Sequence, residues 1–345
     1  MSRLLDIHTY YQSYSQSHLL IDARSPAEYE KGCIPGAVNI PLLSNEHRHE
    51  VGICYKQKGK EEAISLGFQL AGPHFHEMIA QARAQSSGLP LIVYCWRGGL
   101  RSRILSWILE TAGMSCTLVE GGYKTFRNLV LQTFEKNYQV VVLGGKTGMG
   151  KTQMLHALSR YASVIDLEAL AHHRGSAFGN LGMPAQPSQE MFENKLALAL
   201  LQIPPGTLIW FENESRMIGK RNIPDALFDQ IMQAPIIQLE HDDDYRIEGI
   251  LREYGHFPKE ALAEKTRNLE KRLGNEKMNL ALQALSENRM YDWVALLLSY
   301  YDKTYTHGYY KRPEQLRLSM DIRNLDAEQI LSELQDMSQR FFIKA

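Results

Sequence analysis

Two short segments of this chain hold residue types whose spacing could do chemistry. In the first, Cys95-Trp96-Arg97-Gly98-Gly99-Leu100-Arg101-Ser102, a thiol ends an apolar run and two arginines follow closely. A glycine-containing turn that runs into a helix presents backbone N–H groups and a positive helix end to an anion. That field, with Arg97 and Arg101, would favour the thiolate. A thiolate at the floor of an anion cradle suits attack on a sulfur, selenium or phosphorus atom carried by an oxyanion. Taken alone, Cys95 could equally be a buried strand-end residue.

The second segment, Gly145-Lys146-Thr147-Gly148-Met149-Gly150-Lys151-Thr152, matches G-x-x-x-x-G-K-[ST] in full. It follows an apolar strand and precedes a helix, which is the context the motif requires. Gly145, Gly148 and Gly150 let the backbone curl round a diphosphate, Lys151 reaches its outer oxygens, and the Thr152 hydroxyl can hold Mg²⁺. The motif specifies a diphosphate rather than a nucleotide. Its acidic partner is unusual, because Phe211 is followed by Glu212, Asn213 and Glu214 and not by the common Asp. Glu212 or Glu214 is a candidate acid, base or Mg²⁺ ligand, and Asp166 with Glu168 is a second candidate pair. The bland alternative is a solvated strand end. His172 and His173 are adjacent, so they point different ways, and no third ligand is in view; a metal there is disfavoured. Arg174 and Arg216 follow strand ends and read as contacts to phosphate or RNA backbone.

The elements that must position these loops alternate strand and helix. Residues 18–22, 91–95 and 116–120 read as buried parallel strands, and 104–112 as a helix ended by Gly113. Residues 44–88 form a long, mostly helical insertion. A second α/β pattern starts at 138–144, with a helix over 151–161 and strands over 163–167, 206–211 and 234–239. Alternation of this kind implies a doubly wound parallel sheet. From Asp243 onward the pattern is helical with no convincing strand.

Composition bounds the rest. The chain has 345 residues, 44% apolar and 22% charged, with a net charge of −1, enough for two ordinary soluble domains. Nothing global attracts nucleic acid or anionic membrane, so a polyanion must use a local basic patch. The longest apolar stretches, 89–95 and 139–145, are strand-sized, so no transmembrane helix is expected. The N-terminus does not read as a signal peptide. Four cysteines without a CxxC pair point to free thiols and a cytoplasmic location.

A resemblance sharpens this reading. Leu20-Ile21-Asp22-Ala23-Arg24-Ser25-Pro26-Ala27-Glu28-Tyr29 and Gly32-Cys33-Ile34-Pro35-Gly36-Ala37-Val38-Asn39-Ile40-Pro41 resemble the N-terminal signature of rhodanese domains, and Glu120-Gly121-Gly122-Tyr123 resembles their closing segment. Two departures matter. Cys33 stands where that family usually has His, and reads as structural. Five residues separate Cys95 from Arg101 where the family has four, which widens the cradle. The expected architecture is α/β: a rhodanese-like domain over 1–133, a P-loop domain over 134–242, and a helical C-terminal extension over 243–345 packed on it.

A rhodanese domain followed directly by a P-loop is a rare combination. Together with His173-Arg174-Gly175-Ser176-Ala177-Phe178-Gly179 and Glu214-Ser215-Arg216, it resembles the bacterial tRNA 2-selenouridine synthase family over nearly the whole chain. The resemblance implies a tRNA-modifying transferase acting on wobble 2-thiouridine. The sulfur is first geranylated from geranyl diphosphate at the P-loop. Selenophosphate then supplies selenium, and the S-geranyl group leaves as a thiol. Residues 95–101 would bind selenophosphate, with Cys95, Arg97 and Arg101 catalytic. Cys95 would act as nucleophile toward selenium, or only position the donor. The implied partners are tRNA and a selenophosphate-supplying enzyme, on a monomeric synthase that needs no membrane. Phe178, Met183 and Phe192 are candidates for a prenyl groove. Lys265, Arg267, Lys271, Arg272 and Lys277, on one expected helical stretch, are candidate tRNA contacts, as are Tyr300, Tyr301, Tyr305, Tyr309, Tyr310, Lys311 and Arg312. Two other readings compete: an ATP-dependent rhodanese-type sulfurtransferase, and a phosphatase that uses the Cys-X₅-Arg loop with a regulatory P-loop.

Overall fold

The strands Leu-Leu-Ile-Asp and Leu-Ile-Val-Tyr are buried along almost their whole length, as strands covered on both faces must be. They sit at the centre of the first of two compact units in a computed structural model that describes residues 3–310 and 312–342. This unit comprises Met1–Thr133 together with Ser188–Leu198. Its elements are β1 (Arg3–Leu5), α1 (Ile7–Thr9), β2 (Leu19–Asp22), α2 (Pro26–Lys31), β3 (Val38–Asn39), α3 (Asn45–Lys58), α4 (Lys60–Ala71), α5 (Phe75–Ser86), β4 (Leu91–Tyr94), α6 (Leu100–Thr111), β5 (Cys116–Val119) and α7 (Gly122–Phe134). The sheet order is β1-β5-β4-β2-β3, and every pair is parallel. The edge strands β1 and β3 are three and two residues long, too short to carry an alternation signal.

The charged pair Arg24–Asp22 organises the carboxyl end of this sheet. Both side chains are buried. Arg24 donates from Nη2 to Asp22 Oδ2 at 2.6 Å and to the Gly32 carbonyl at 2.7 Å, and its guanidinium lies 3.9 Å from the Tyr123 ring centroid. Burial opposes its charge, but Asp22 outweighs burial and holds the guanidinium more firmly protonated than usual. The pair thereby ties β2, the turn at Gly32 and α7 together.

The second unit comprises Phe134–Pro187 and Ala199–Ala345. It contains β6 (Gln139–Gly145), α8 (Lys151–Leu158), β7 (Ser163–Ile165), α9 (Leu167–Ala171), the end of α10 (Gln189–Leu201), β8 (Leu208–Glu212), a hairpin of β9 (Met217–Ile218) and β10 (Arg221–Asn222), α11 (Asp225–Gln233) and β11 (Ile236–Glu240). Then follow α12 (Asp243–Tyr254), α13 (Lys259–Arg267), α14 (Glu270–Leu273), α15 (Asn275–Ser286), α16 (Met290–Tyr310), β12 (Arg317–Asp321) and α17 (Ala327–Phe342). The sheet order is β12-β11-β6-β8-β7, all parallel.

β12 corrects the expectation that nothing after Asp243 is a strand. Only Leu318 and Met320 alternate between Arg317, Ser319 and Asp321, so its pattern is two apolar residues long. The partner β11 supplies what the pattern lacks. Met320, Ile322, Ile330 and Leu334 pack with Val141, Leu143 and Ile237. Residues 317–342 therefore belong to the core of the P-loop unit, and only α12 to α16 form the helical part, around Trp293, Leu262 and Leu285. Among the described residues no helix is long and apolar enough to cross a membrane.

Removing one partner of a buried ion pair strands the other, at a cost of about 3–5 kcal/mol. Arg24→Ala is therefore expected to lower the urea unfolding free energy by about that amount, and the Arg24→Met/Asp22→Leu double variant by clearly less. Equal losses in the two proteins would show that the pair itself is not what holds this end of the sheet.

Candidate active sites

Cys95 follows β4 directly and is buried, 3% exposed. Its Sγ accepts hydrogen bonds from the Gly99 N–H at 3.3 Å and the Ser102 hydroxyl at 3.2 Å. Two donors aimed at one sulfur stabilise a negative charge on it. The loop is pinned from behind, because the Tyr123 and Lys124 N–H groups donate to the carbonyls of Cys95 and Trp96, each at 2.9 Å. Gly122 has φ +61° and its missing Cβ would stand 2.2 Å from the Cys95 carbonyl oxygen, so only glycine lets α7 approach this closely.

Arg101 donates to Glu28 Oε2 at 2.6 Å. Burial would raise the Glu28 carboxyl, but the Arg101 bond outweighs it and holds Glu28 below the usual carboxylate range. Glu28 in turn closes a capping box with Ser25 at the start of α2. Arg101 is thus a cation fixed in place by a carboxylate, while Arg97 is exposed. Arg24, Lys31, Arg48, Arg101 and Trp96 line a polar cavity of about 300 Å³ with Glu28 and Glu190. Glu190 was invisible to sequence reasoning, since it lies far along the chain in the 188–198 segment. There Tyr123 donates to Glu190 at 2.7 Å, and Asn194 donates to the Cys33 carbonyl at 2.9 Å and the Tyr123 hydroxyl at 2.8 Å. Cys33 is buried, and burial and Asp22 push its thiol up to about 11, in keeping with a packing role. All four cysteines are free.

In the second unit, Lys151 opens α8 and is itself buried, its Nζ 3.4 Å from Glu212 Oε1. The Thr152 hydroxyl donates to Glu212 Oε2 at 3.0 Å. Gly148 has φ +87°, and a Cβ there would meet the Arg246 carbonyl oxygen at 2.2 Å. Arg246, fully buried, donates to the Thr147 carbonyl at 3.1 Å and is held by Asp243 at 2.6 Å and Asp302 at 2.5 Å. A residue from α12 thereby sets the shape of the phosphate loop, with no motif to reveal it. The loop opens on a cavity of about 370 Å³ lined also by Glu168, Arg174, Arg252 and Tyr254.

Glu168, Glu212 and Glu214 bring one ligand atom each to within 4.8 Å of one another. Burial, and then Glu212, raise the carboxyls of Glu168 and Glu214 well above the usual range. A divalent cation would relieve that repulsion, and hard oxygen donors of this kind, with the Thr152 hydroxyl beside them, fit Mg²⁺. Asp166 does not join them. It caps α9, accepting from the Ala169 N–H at 2.8 Å, and sits 2.6 Å from His156 Nε2. Glu168, two residues on, is the one whose side chain reaches the cluster.

The outlying candidates separate. Arg174 lines the phosphate cavity and pairs with Glu253 at 3.1 Å, whereas Arg216 pairs with Asp225 at 3.2 Å and lies over Phe228. Lys265, Arg267, Lys271, Arg272 and Lys277 do not share one helix. Asn268-Leu269 and Gly274 divide them among α13, α14 and α15. Lys265 is half-buried, Arg267 and Lys271 are exposed, and Arg272 donates to the Tyr300 hydroxyl at 2.7 Å. Phe178 and Phe192 are core residues, 3% and 0% exposed, and Met183 is half-buried. Tyr301 is buried too. Arg312 is buried, donates to the Ile231 carbonyl at 3.0 Å, and is pushed down to about 10 by burial, which excludes it as a surface contact. Tyr309 stacks with Arg317; the side chains of Tyr305 and Tyr310, and all of Lys311, lie outside the described residues. His172 faces the Ala185 carbonyl and His173 is half-buried, and neither joins the carboxylates.

Residues 8–129 match the family model of the rhodanese-like domain, and residues 138–266 match that of the tRNA 2-selenouridine synthase AAA domain. A tRNA 2-selenouridine synthase of Shewanella halifaxensis is 36% identical over 89% of this chain and 93% of its own length. The chain belongs to the tRNA 2-selenouridine synthase family. Members from Bordetella bronchiseptica and Pseudomonas putida bear the same name, at 38% and 37% identity over 84% of this chain and 87% and 88% of theirs.

For a member of this family, the carboxylates at the P-loop give a direct test of the ion. Millimolar Mg²⁺ with inorganic diphosphate is expected to raise the melting temperature by about 2–4 °C. Glu212→Gln should abolish the increment due to Mg²⁺. An equal increment in both proteins would remove Glu212 from the ion's site.

Proposed function

We propose that this chain converts 2-thiouridine at the wobble position of tRNA to 2-selenouridine, through an S-geranyl intermediate. The observation that carries the reading is a diphosphate loop and a Cys-X₅-Arg-Ser loop on one chain of this family, each with its charge partners in place. A thiocarbonyl sulfur leaves poorly as sulfide, whereas an alkylated sulfur leaves as a thiolate. The first site makes the leaving group that the second displaces.

In the first step the thiouridine sulfur attacks the terminal methylene of geranyl diphosphate and the carbon–oxygen bond breaks. Lys151, the loop N–H groups and Thr152 receive the charge that develops on the diphosphate. A carboxylate of the Glu168–Glu212–Glu214 group takes the N3 proton. Mg²⁺, where bound, would be held by these carboxylates and Thr152 and would add positive charge at the departing diphosphate.

Electron counting decides where Cys95 attacks. Attack on the selenium of selenophosphate would leave the phosphorus–selenium bond pair on phosphorus and expel phosphite. Attack on phosphorus keeps every oxidation state. The Cys95 Sγ–P bond forms, the P–Se bond breaks, and hydrogen selenide anion departs. Selenide then adds at C2 of the base and geranylthiolate leaves; the selenol proton ends on N3. Water cleaves the Sγ–P bond, returning the thiolate and releasing phosphate, and its proton passes to geranylthiolate. The wider five-residue loop suits a tetrahedral phosphoryl group. Ser102 and Gly99, donating to Sγ, stabilise the thiolate both as nucleophile and as leaving group.

Nucleoside mass spectrometry of tRNA incubated with geranyl diphosphate and selenophosphate tests the order of steps. Lys151→Ala is expected to lower geranylation by about 10²–10³-fold, and Cys95→Ala to accumulate the S-geranyl nucleoside. Normal selenouridine formation by Cys95→Ala would refute the role given to the thiol. Phosphorus NMR of the wild-type reaction should show phosphate as the product, and phosphite there would move the attack to selenium.

A further inference from the structure

The insertion over residues 44–88 has so far no part in the chemistry, yet α3 and α4 enclose an apolar groove of about 360 Å³ against the start of α6. Leu42, Val51, Ile64, Phe68, Leu100 and Ile104 are prominent in its lining, and Lys60 and Arg101 are its only charged members among the described residues. Phe68 and Leu100, both in this lining, stand 43% and 50% exposed, and exposed apolar surface gathered in one patch marks an interaction site. The groove also touches the reactive loop. Arg101 walls both this groove and the polar cavity that Trp96 of the reactive loop also lines, and Leu100 belongs to the loop itself.

We infer that this groove holds the geranyl chain of the S-geranyl base while C2 is presented to the Cys95 site. The inference rests on the two-step reading above. After the first step the substrate carries a ten-carbon apolar tail two bonds from the carbon that selenium must reach. A polar cavity on one side of Arg101 and an apolar groove on the other match the two chemistries of that substrate. The selenium donor is a small anion, and the leaving group is a hydrocarbon chain. The volume lies within the range of small-molecule sites. Binding the tail there would select the geranylated base over the unmodified one, and would put the departing sulfur next to its own pocket. Ile64 and Phe68 act in this by positioning the substrate, since neither is part of the reactive loop.

The test uses the full chain, selenophosphate and tRNA anticodon stem-loops carrying preformed S-geranyl- or S-methyl-2-thiouridine. With wild type, KM for the S-geranyl RNA is expected to lie about tenfold below that for S-methyl RNA, from burial of the longer chain. Phe68→Ser, a substitution at an exposed side chain, should raise KM for S-geranyl RNA about tenfold with kcat nearly unchanged, and should leave the S-methyl values as they are. Ile64→Ser provides a second variant with the same expected pattern. Equal KM values for the two RNAs on wild type, or an unchanged KM for S-geranyl RNA in both variants, would overturn the groove while leaving the two-step reading intact. If wild type converts no S-geranyl RNA to selenouridine, the two-step reading falls and takes the groove's role with it.

Discussion

A parallel ladder of hydrogen bonds brings the carboxyl ends of its strands to one edge, and both halves of this chain depend on that constraint. In the first unit the pairing of β2 with β4 and of β4 with β5 brings the segments that carry Arg24, Cys95 and Gly121 to one edge of the sheet. In the second, the pairing of β6 with β8 sets Leu143 opposite Glu212, and so the diphosphate loop opposite its acidic partner. The pairing of β7 with β8 brings Asp166 and then Glu168 to the same edge. The crevice at the end of a parallel sheet is where such folds bind ligands.

Charge inside these units is placed rather than avoided. Arg24, Arg246 and Arg312 are all buried, and each binds backbone carbonyls at a turn or an element end as well as a polar side chain. A guanidinium can do this because its planar fork offers several donors in fixed directions. Arg24 fixes the turn at Gly32, Arg246 fixes the phosphate loop at Thr147, and Arg312 joins Asn213 to Ile231 of α11. The carboxylates at the P-loop differ, since they crowd one another without equal compensation, as groups do where a ligand's charge completes the set.

Local readings succeeded where the signal was local. The P-loop, the cysteine loop and the central strands were legible, because each is a contiguous run whose residue types and spacing answer to one physical demand. Asp166 and Glu168 could not be told apart, because a capping carboxylate and a site carboxylate look alike without the helix start between them. β12 was missed because two apolar residues make no period, and only the edge of β11 makes them a strand. Arg246, Glu190 and Asn194 carried no signal at all, since their partners are remote. Phe178 and Phe192 show the converse case, in which apolar residues near a functional motif are buried in the core.

Residues 188–198 belong with the first unit, while the chain on either side of them belongs with the second. The polypeptide consequently passes between the two units three times, at 133/134, 187/188 and 198/199. As the chain leaves the ribosome, the stretch through Thr133 emerges before the buttress for Tyr123 and the Cys33 carbonyl exists. The thiol-bearing unit therefore completes its fold only after the phosphate loop has been made. A gene cut at the 133/134 boundary would yield a first piece lacking Glu190 and Asn194, and so lacking the groups that hold Tyr123 and the Cys33 carbonyl.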